Sequence, residues 1–91
     1  MKKELHAIFK GCVQGVFFRA TIVRHADNFP ITGTVQNLSD GSVELYAQGE
    51  EATLLTFLNT ITQNPGSARL TSVTHDLSEI TTPLSSFQIK Y

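Results

Sequence analysis

The stretch Gly11–Arg19, GCVQGVFFR, gathers the residues in this chain best suited to holding an anion. Glycines at 11 and 15 permit backbone angles that turn successive N–H groups inward as a nest. The loop opens into a helix, whose first N–H groups and dipole also favour negative charge. Arg19 falls in the first turn of that helix. Facing solvent, a cation there sits slightly unfavourably against the dipole. Turned into the loop, it adds a fixed charge and a planar fork of donors suited to phosphate. The same residues also fit a plainer reading, a glycine-bearing strand-to-helix turn followed by a solvated arginine. The stretch matches neither GxxxxGK[ST] nor GxGxxG.

Cys12, the one cysteine, is the rival nucleophile. With Arg19 it resembles the C-x5-R loop of cysteine-dependent phosphatases, but the spacing is C-x6-R and Gly11 stands where a His is expected. A bystander thiol is the simpler reading, although an adjacent nest can lower a thiol's pKa. His6, His25 and His75 fall on different elements without metal-ligand spacing, and His6, opposite Leu5, Ala7 and Phe9, reads as solvated. Asp40 reads as a turn residue, Glu44 as polar-face, and Phe17 and Phe18 as packing residues flanking the loop.

The elements that must position this loop follow from periodicity. Residues 4–10 alternate as a strand, and 11–17 form the loop. Residues 18–28 form a helix with Phe18, Ile22, Val23 and Ala26 near one face, ended by a left-handed Asn28 and by Pro30. A β-branched strand, 31–38, leads through the turn Leu38–Gly41 into a hairpin partner carrying Val43, Leu45 and Ala47. A second helix, 50–62, buries Leu54, Phe57, Leu58 and Ile61 and stops at Asn64, Pro65 and Gly66. Residues 69–77 form a fourth strand, and Phe87, Ile89 and Tyr91 alternate as a short fifth.

The order β-α-β-β-α-β with an added C-terminal strand predicts an α+β, ferredoxin-like split βαβ fold, two helices covering one face of a mostly antiparallel sheet. In that topology the first two strands run parallel, joined by a right-handed crossover, with the third between them. Their ends lie roughly 10 Å apart, two inter-strand spacings. The end of the first carries the loop and Arg19, and the end of the second carries Asn37.

The bulk properties bound the rest. At 91 residues the chain reads as one domain, 1–91, able to bury roughly two-thirds of its unfolded surface. A formal net charge of −1 with no basic run argues against nucleic acid and anionic membranes as partners. A single cysteine needs no oxidising compartment, and the N-terminus lacks the apolar run of a signal peptide, so a cytosolic protein is expected.

Two blocks resemble the acylphosphatase family. GCVQGVFFR is similar to its signature G-x-V-Q-G-V-x-[FY]-R, and Gly33–Leu45, GTVQNLSDGSVEL, to its second block G-x-V-x-N-x-x-D-G-x-V-E. The ending Phe87–Tyr91, FQIKY, resembles its usual C-terminus, and order, spacing and length also match. The resemblance implies hydrolysis of the carboxyl–phosphate bond of acyl phosphates, with no metal, cofactor or covalent intermediate. It puts the phosphate-binding arginine on Arg19, the water-orienting asparagine on Asn37, and the cradle amides around Gln14, Gly15, Val16, Phe17 and Phe18. A small acyl phosphate would be the substrate, inorganic phosphate the product and a competing ligand, and a monomer would suffice. Three features depart from the pattern: Thr34 in place of an aromatic, Gln36 in place of a basic residue, and Asn28-Phe29-Pro30 after the first helix. Two further readings stay open on the same fold. One is single-stranded RNA binding through Tyr46 on the open sheet face, which the charge balance opposes. The other is an inactive anion-binding module.

Overall fold

Alternation in the first strand decides which way the sheet faces: Leu5, Ala7 and Phe9 are fully buried, while their neighbours His6 and Ile8 lie on the other face, half-exposed. The computed structural model describes residues 1–91, in the order β1 (Lys2–Cys12), α1 (Phe18–Ala26), β2 (Thr32–Asn37), β3 (Val43–Glu50), α2 (Glu51–Gln63), β4 (Arg69–Ser78) and β5 (Phe87–Lys90). The five strands form one mixed sheet, ordered β4-β1-β3-β2-β5. β3 pairs antiparallel with both β1 and β2, so those two run parallel with β3 between them. β4 closes the β1 edge antiparallel, and β5 runs parallel along the outside of β2. This is the predicted ferredoxin-like arrangement with its extra strand.

Both helices lie on the face that carries Leu5, Ala7 and Phe9. α1 contributes Phe18, Ile22 and Ala26, spaced four apart on one stripe, and α2 contributes Leu54, Phe57, Leu58 and Ile61. They join Val35, Val43, Leu45 and Ala47 in one core. Phe18 meets Phe9 edge-on at 5.2 Å, which anchors the start of α1 to the middle of the sheet. Removing a ring so placed costs about 3–5 kcal/mol.

Most element ends shift by one or two residues from expectation, and three of the shifts have a clear local reason. β1 continues past residue 10, because a bulge between Lys10 and Gly11 lets Gly11 and Cys12 keep pairing with Leu70 and Arg69. Gly11 has φ 127°, and a Cβ there would stand 2.2 Å from the Arg69 carbonyl oxygen. Its conformational freedom therefore serves the bulge, not the anion nest. α1 stops at Ala26, and Asn28 is not left-handed. Tight bonds from Asn28 N–H to His25 O (3.1 Å) and from Phe29 N–H to Ala26 O (3.0 Å) end it instead. α2 begins one residue late, at Glu51, because Glu50 is still extended.

Candidate active site

At the end of the sheet where β1 and β2 finish lies a pocket of about 310 Å³. Gly15, Phe17, Phe18 and Arg19 line it from the loop and the first turn of α1, and Asn37 lines it from the last position of β2. Asn37 and Phe9 flank Val43 across the sheet, so Asn37 and the loop after β1 share one edge.

The loop contains two residues with positive φ, Gly15 and Phe17. Gly15 has φ 75°, with open space where a Cβ would be. Phe17 has φ 60° and ψ 26° and is the sole non-glycine residue with positive φ. For a bulky side chain that conformation costs of order 1–3 kcal/mol, and such strain concentrates at ligand sites. Left-handed residues at 15 and 17 flank Val16, the kind of backbone conformation from which a nest is built. No backbone hydrogen bond outside the regular elements is donated by Gln14, Gly15, Val16 or Phe17. The first N–H groups of α1 have no helical acceptor. That helix also lacks a side-chain N-cap bond and an acidic residue in its first turn. Its positive end is uncompensated and faces the loop.

Arg19 is half-buried, with Cζ 5.1 Å from the centre of the Tyr91 ring. It forms no ion pair; the three in the protein are Met1 N-terminus–Glu50, Lys3–Glu79 and His6–Glu44. Asn37 Oδ1 is buried and has no donor, the one such side-chain atom in the molecule. A buried acceptor left without a partner is rare and calls for an explanation.

Gln14 occupies a different position from the one its neighbours suggest. Its side-chain Nε2 donates to Leu38 O at 2.8 Å and Ser42 O at 2.9 Å. The side chain is thus a strut between the loop and the turn that follows Asn37, and only its main-chain N–H remains for a ligand. That turn is held by Gly41 (φ 93°), by Leu38 N–H donating to Ser42 O, and by Asp40, which accepts from the Ser42 hydroxyl and N–H. Those bonds to Ser42, hydroxyl first, hold the Asp40 carboxyl below its ordinary value of 3.8. Val16 packs against the core, and Phe18 is buried, so its ring is structural as predicted. Phe17 is not a packing residue: it is 85% exposed.

Ile89 and Tyr91 complete the pocket from β5 and its end. Their alternation is legible in the sequence, but nothing there places that strand beside β2. Cys12 is exposed, paired with Arg69 in the sheet, and does not line the pocket. Thr34 and Gln36 lie opposite Tyr46 and Glu44, away from the pocket, and Phe29 packs on Phe57 near the opposite end of the sheet. The three departures from the family pattern therefore leave the pocket itself untouched. His6 is not simply solvated: it stacks on Tyr46 at 4.5 Å and bonds Glu44 Oε2 at 2.8 Å. Burial, then Glu44, Glu4 and Asp76, raise the Tyr46 pKa. No group of His, Cys, Asp and Glu is arranged to hold a metal ion. No helix is long and apolar enough to cross a membrane.

The loop amides without main-chain acceptors and an arginine without an ion pair are donors suited to a small oxyanion, with the Asn37 carboxamide on the same pocket. The acylphosphatase family model matches residues 5–89. An acylphosphatase of Thermotoga petrophila is 41% identical over 91 residues, covering 98% of each chain. The crystal structure of acylphosphatase from Bacillus subtilis superposes with a TM-score of 0.91 at 30% identity, covering 98% of this chain and 99% of that one. An acylphosphatase structure from Coxiella burnetii gives 0.87 at 31% identity, over 98% and 93%. The chain belongs to the acylphosphatase family. It is an enzyme, a hydrolase of acyl phosphates.

Proposed function

We propose that this chain cleaves the carboxyl–phosphate bond by direct attack of a positioned water, with Arg19 and the amides of Gln14 to Phe18 holding the phosphoryl group and Asn37 holding the water. The observation that carries the reading is that Asn37, whose buried Oδ1 has no partner, lines the same pocket as the unpaired Arg19. The terminal amide torsion is roughly two-fold, so a flip of the Asn37 carboxamide turns that oxygen toward the pocket at little cost. There it accepts a hydrogen bond from water and aims the water's lone pair at phosphorus.

The chemistry asks for little more. A carboxylate leaves without being protonated, so general acid catalysis is dispensable and positioning with charge stabilisation remains. Water oxygen bonds to phosphorus, the bond from phosphorus to the bridging oxygen breaks with its electron pair leaving on the carboxylate, and the water proton passes to a phosphate oxygen. Neither a metal, a cofactor nor a phosphocysteine enters. Inorganic phosphate, the product, competes for the same groups. We take residues 1–91 to act as one monomeric, cytosolic domain without nucleic-acid or membrane partners.

The test is hydrolysis of benzoyl phosphate in the presence of EDTA, by the wild-type protein and by Cys12→Ser. Rapid hydrolysis by both is expected. Loss of activity in Cys12→Ser with a trapped phosphocysteine in the parent would overturn the direct-water mechanism. Phosphate binding without hydrolysis would leave an anion-binding module.

A further inference from the structure

We propose that Phe17 and Tyr91 are specificity-determining residues, forming an aromatic wall that receives the acyl half of the substrate and favours flat aromatic acyl groups over short aliphatic ones. This rests on the acyl phosphate reading above and names the part of the substrate which that reading leaves unassigned.

Phe17 is the outlier among the six phenylalanines. Phe9, Phe18 and Phe57 are buried, and Phe29 and Phe87 pack against the core, whereas Phe17 is 85% exposed. A large apolar ring in water contributes nothing to the core, and its backbone is held in the left-handed region. The exposure is explained if the ring has a ligand to cover. Tyr91 is likewise exposed, at 99%, yet sits with its ring against the Arg19 guanidinium. Both residues line the pocket that holds Arg19 and Asn37.

The division of the pocket supplies the direction. Its polar donors, the loop amides and Arg19, suit phosphoryl oxygens. The rest of the lining is apolar, and of its aromatic residues Phe17 and Tyr91 are the exposed ones, Phe18 being buried. A substrate with its phosphoryl group at Arg19 therefore has Phe17, Ile89 and Tyr91 as exposed or part-exposed apolar neighbours for its acyl group. Aromatic rings gain from offset or edge contact beyond simple burial, and a methyl group has little area to offer. Tyr91 has a second effect, since its ring lies beside the guanidinium that takes the phosphate, so the same side chain borders both halves of the substrate.

The experiment measures kcat/KM for benzoyl phosphate and for acetyl phosphate with the wild-type protein, Phe17→Asn and Tyr91→Ala. Asparagine adopts the left-handed conformation readily, so Phe17→Asn removes the ring without adding backbone strain. The benzoyl-to-acetyl ratio is expected to fall about two- to tenfold in each variant, the range that aromatic contacts contribute. A ratio that stays at the wild-type value, with both substrates slowed in proportion, would overturn the wall and leave the rings as structural elements of the loop. Failure of the underlying reading has a separate signature: the wild-type protein would then hydrolyse neither substrate.

Discussion

The larger cavity in this protein is not the candidate active site. A pocket of about 460 Å³ lies at the opposite end of the sheet, among Lys2, Phe29, Ile31, Gln48, Ile80 and Leu84. The candidate active site is smaller, about 310 Å³. The difference lies in hydrogen-bonding capacity. In the larger cavity the buried Gln48 is fully engaged: its Nε2 donates to Glu4 Oε2 and Thr82 O, and its Oε1 accepts from Leu84 N–H. It ties the connection between β4 and β5 across the end of the sheet. In the smaller pocket Asn37 Oδ1 has no partner, the loop amides have no acceptor, and Arg19 has no counter-ion. One end of the sheet uses its polar groups to hold itself together. The other leaves them unpaired.

The strongest way to break this contrast is Arg19→Ala. Turnover of benzoyl phosphate should fall on the order of 10³-fold, with weakened inhibition by inorganic phosphate, since the substitution removes the one charge of the cradle. Steady-state kinetics with phosphate as competitor measures both. Asn37→Ala should lower kcat by on the order of 10²–10³ while phosphate inhibition changes little. Equal loss of both would make Asn37 a phosphate ligand and not a holder of water.

Gln48→Leu should behave in the opposite sense. It strands the Leu84 N–H and the Glu4 carboxylate, so a urea titration should show about 1–3 kcal/mol lost, while kcat per folded molecule stays at the wild-type value. A kcat loss as large as that of Asn37→Ala would mean that the two ends of the sheet are coupled. The smallest effect belongs to Asp40. Its carboxyl is held below the ordinary value by Ser42, so its charged form stabilises the turn beside Asn37 at neutral pH. That contribution is present above the unfolded pKa and is lost as pH falls through the folded one. Urea midpoints of Asp40→Asn and wild type should therefore differ slightly at pH 7 and converge in strong acid.

Much of the fold is legible in the chain itself. Alternation at Leu5, Ala7 and Phe9 and the stripes of α1 and α2 specify the elements and their buried faces, because periods of two and near four follow directly from backbone geometry. The turn at Asp40-Gly41 is equally plain, since its chemistry is local. The role of Gly11 is not legible, because a bulge exists only once β4 is in place beside β1. The end of α1 departs from the expected left-handed Asn28 because more than one geometry can end a helix, and packing of Phe29 against Phe57 is compatible with the one found. The strut formed by Gln14 has no local signal, because Leu38 and Ser42 lie 24 and 28 residues away.

The identities of the site's chief groups are thus written in the chain: a guanidinium at 19, a carboxamide at 37, and a glycine at 15 that permits positive φ. Which of their hydrogen-bonding groups would be left without a partner is not, nor which aromatic side chains would stand at the pocket mouth. Residue type and short-range geometry are properties of neighbours in sequence. Whether a donor, an acceptor or a ring remains free depends on every segment that packs around it, and those segments meet only on folding.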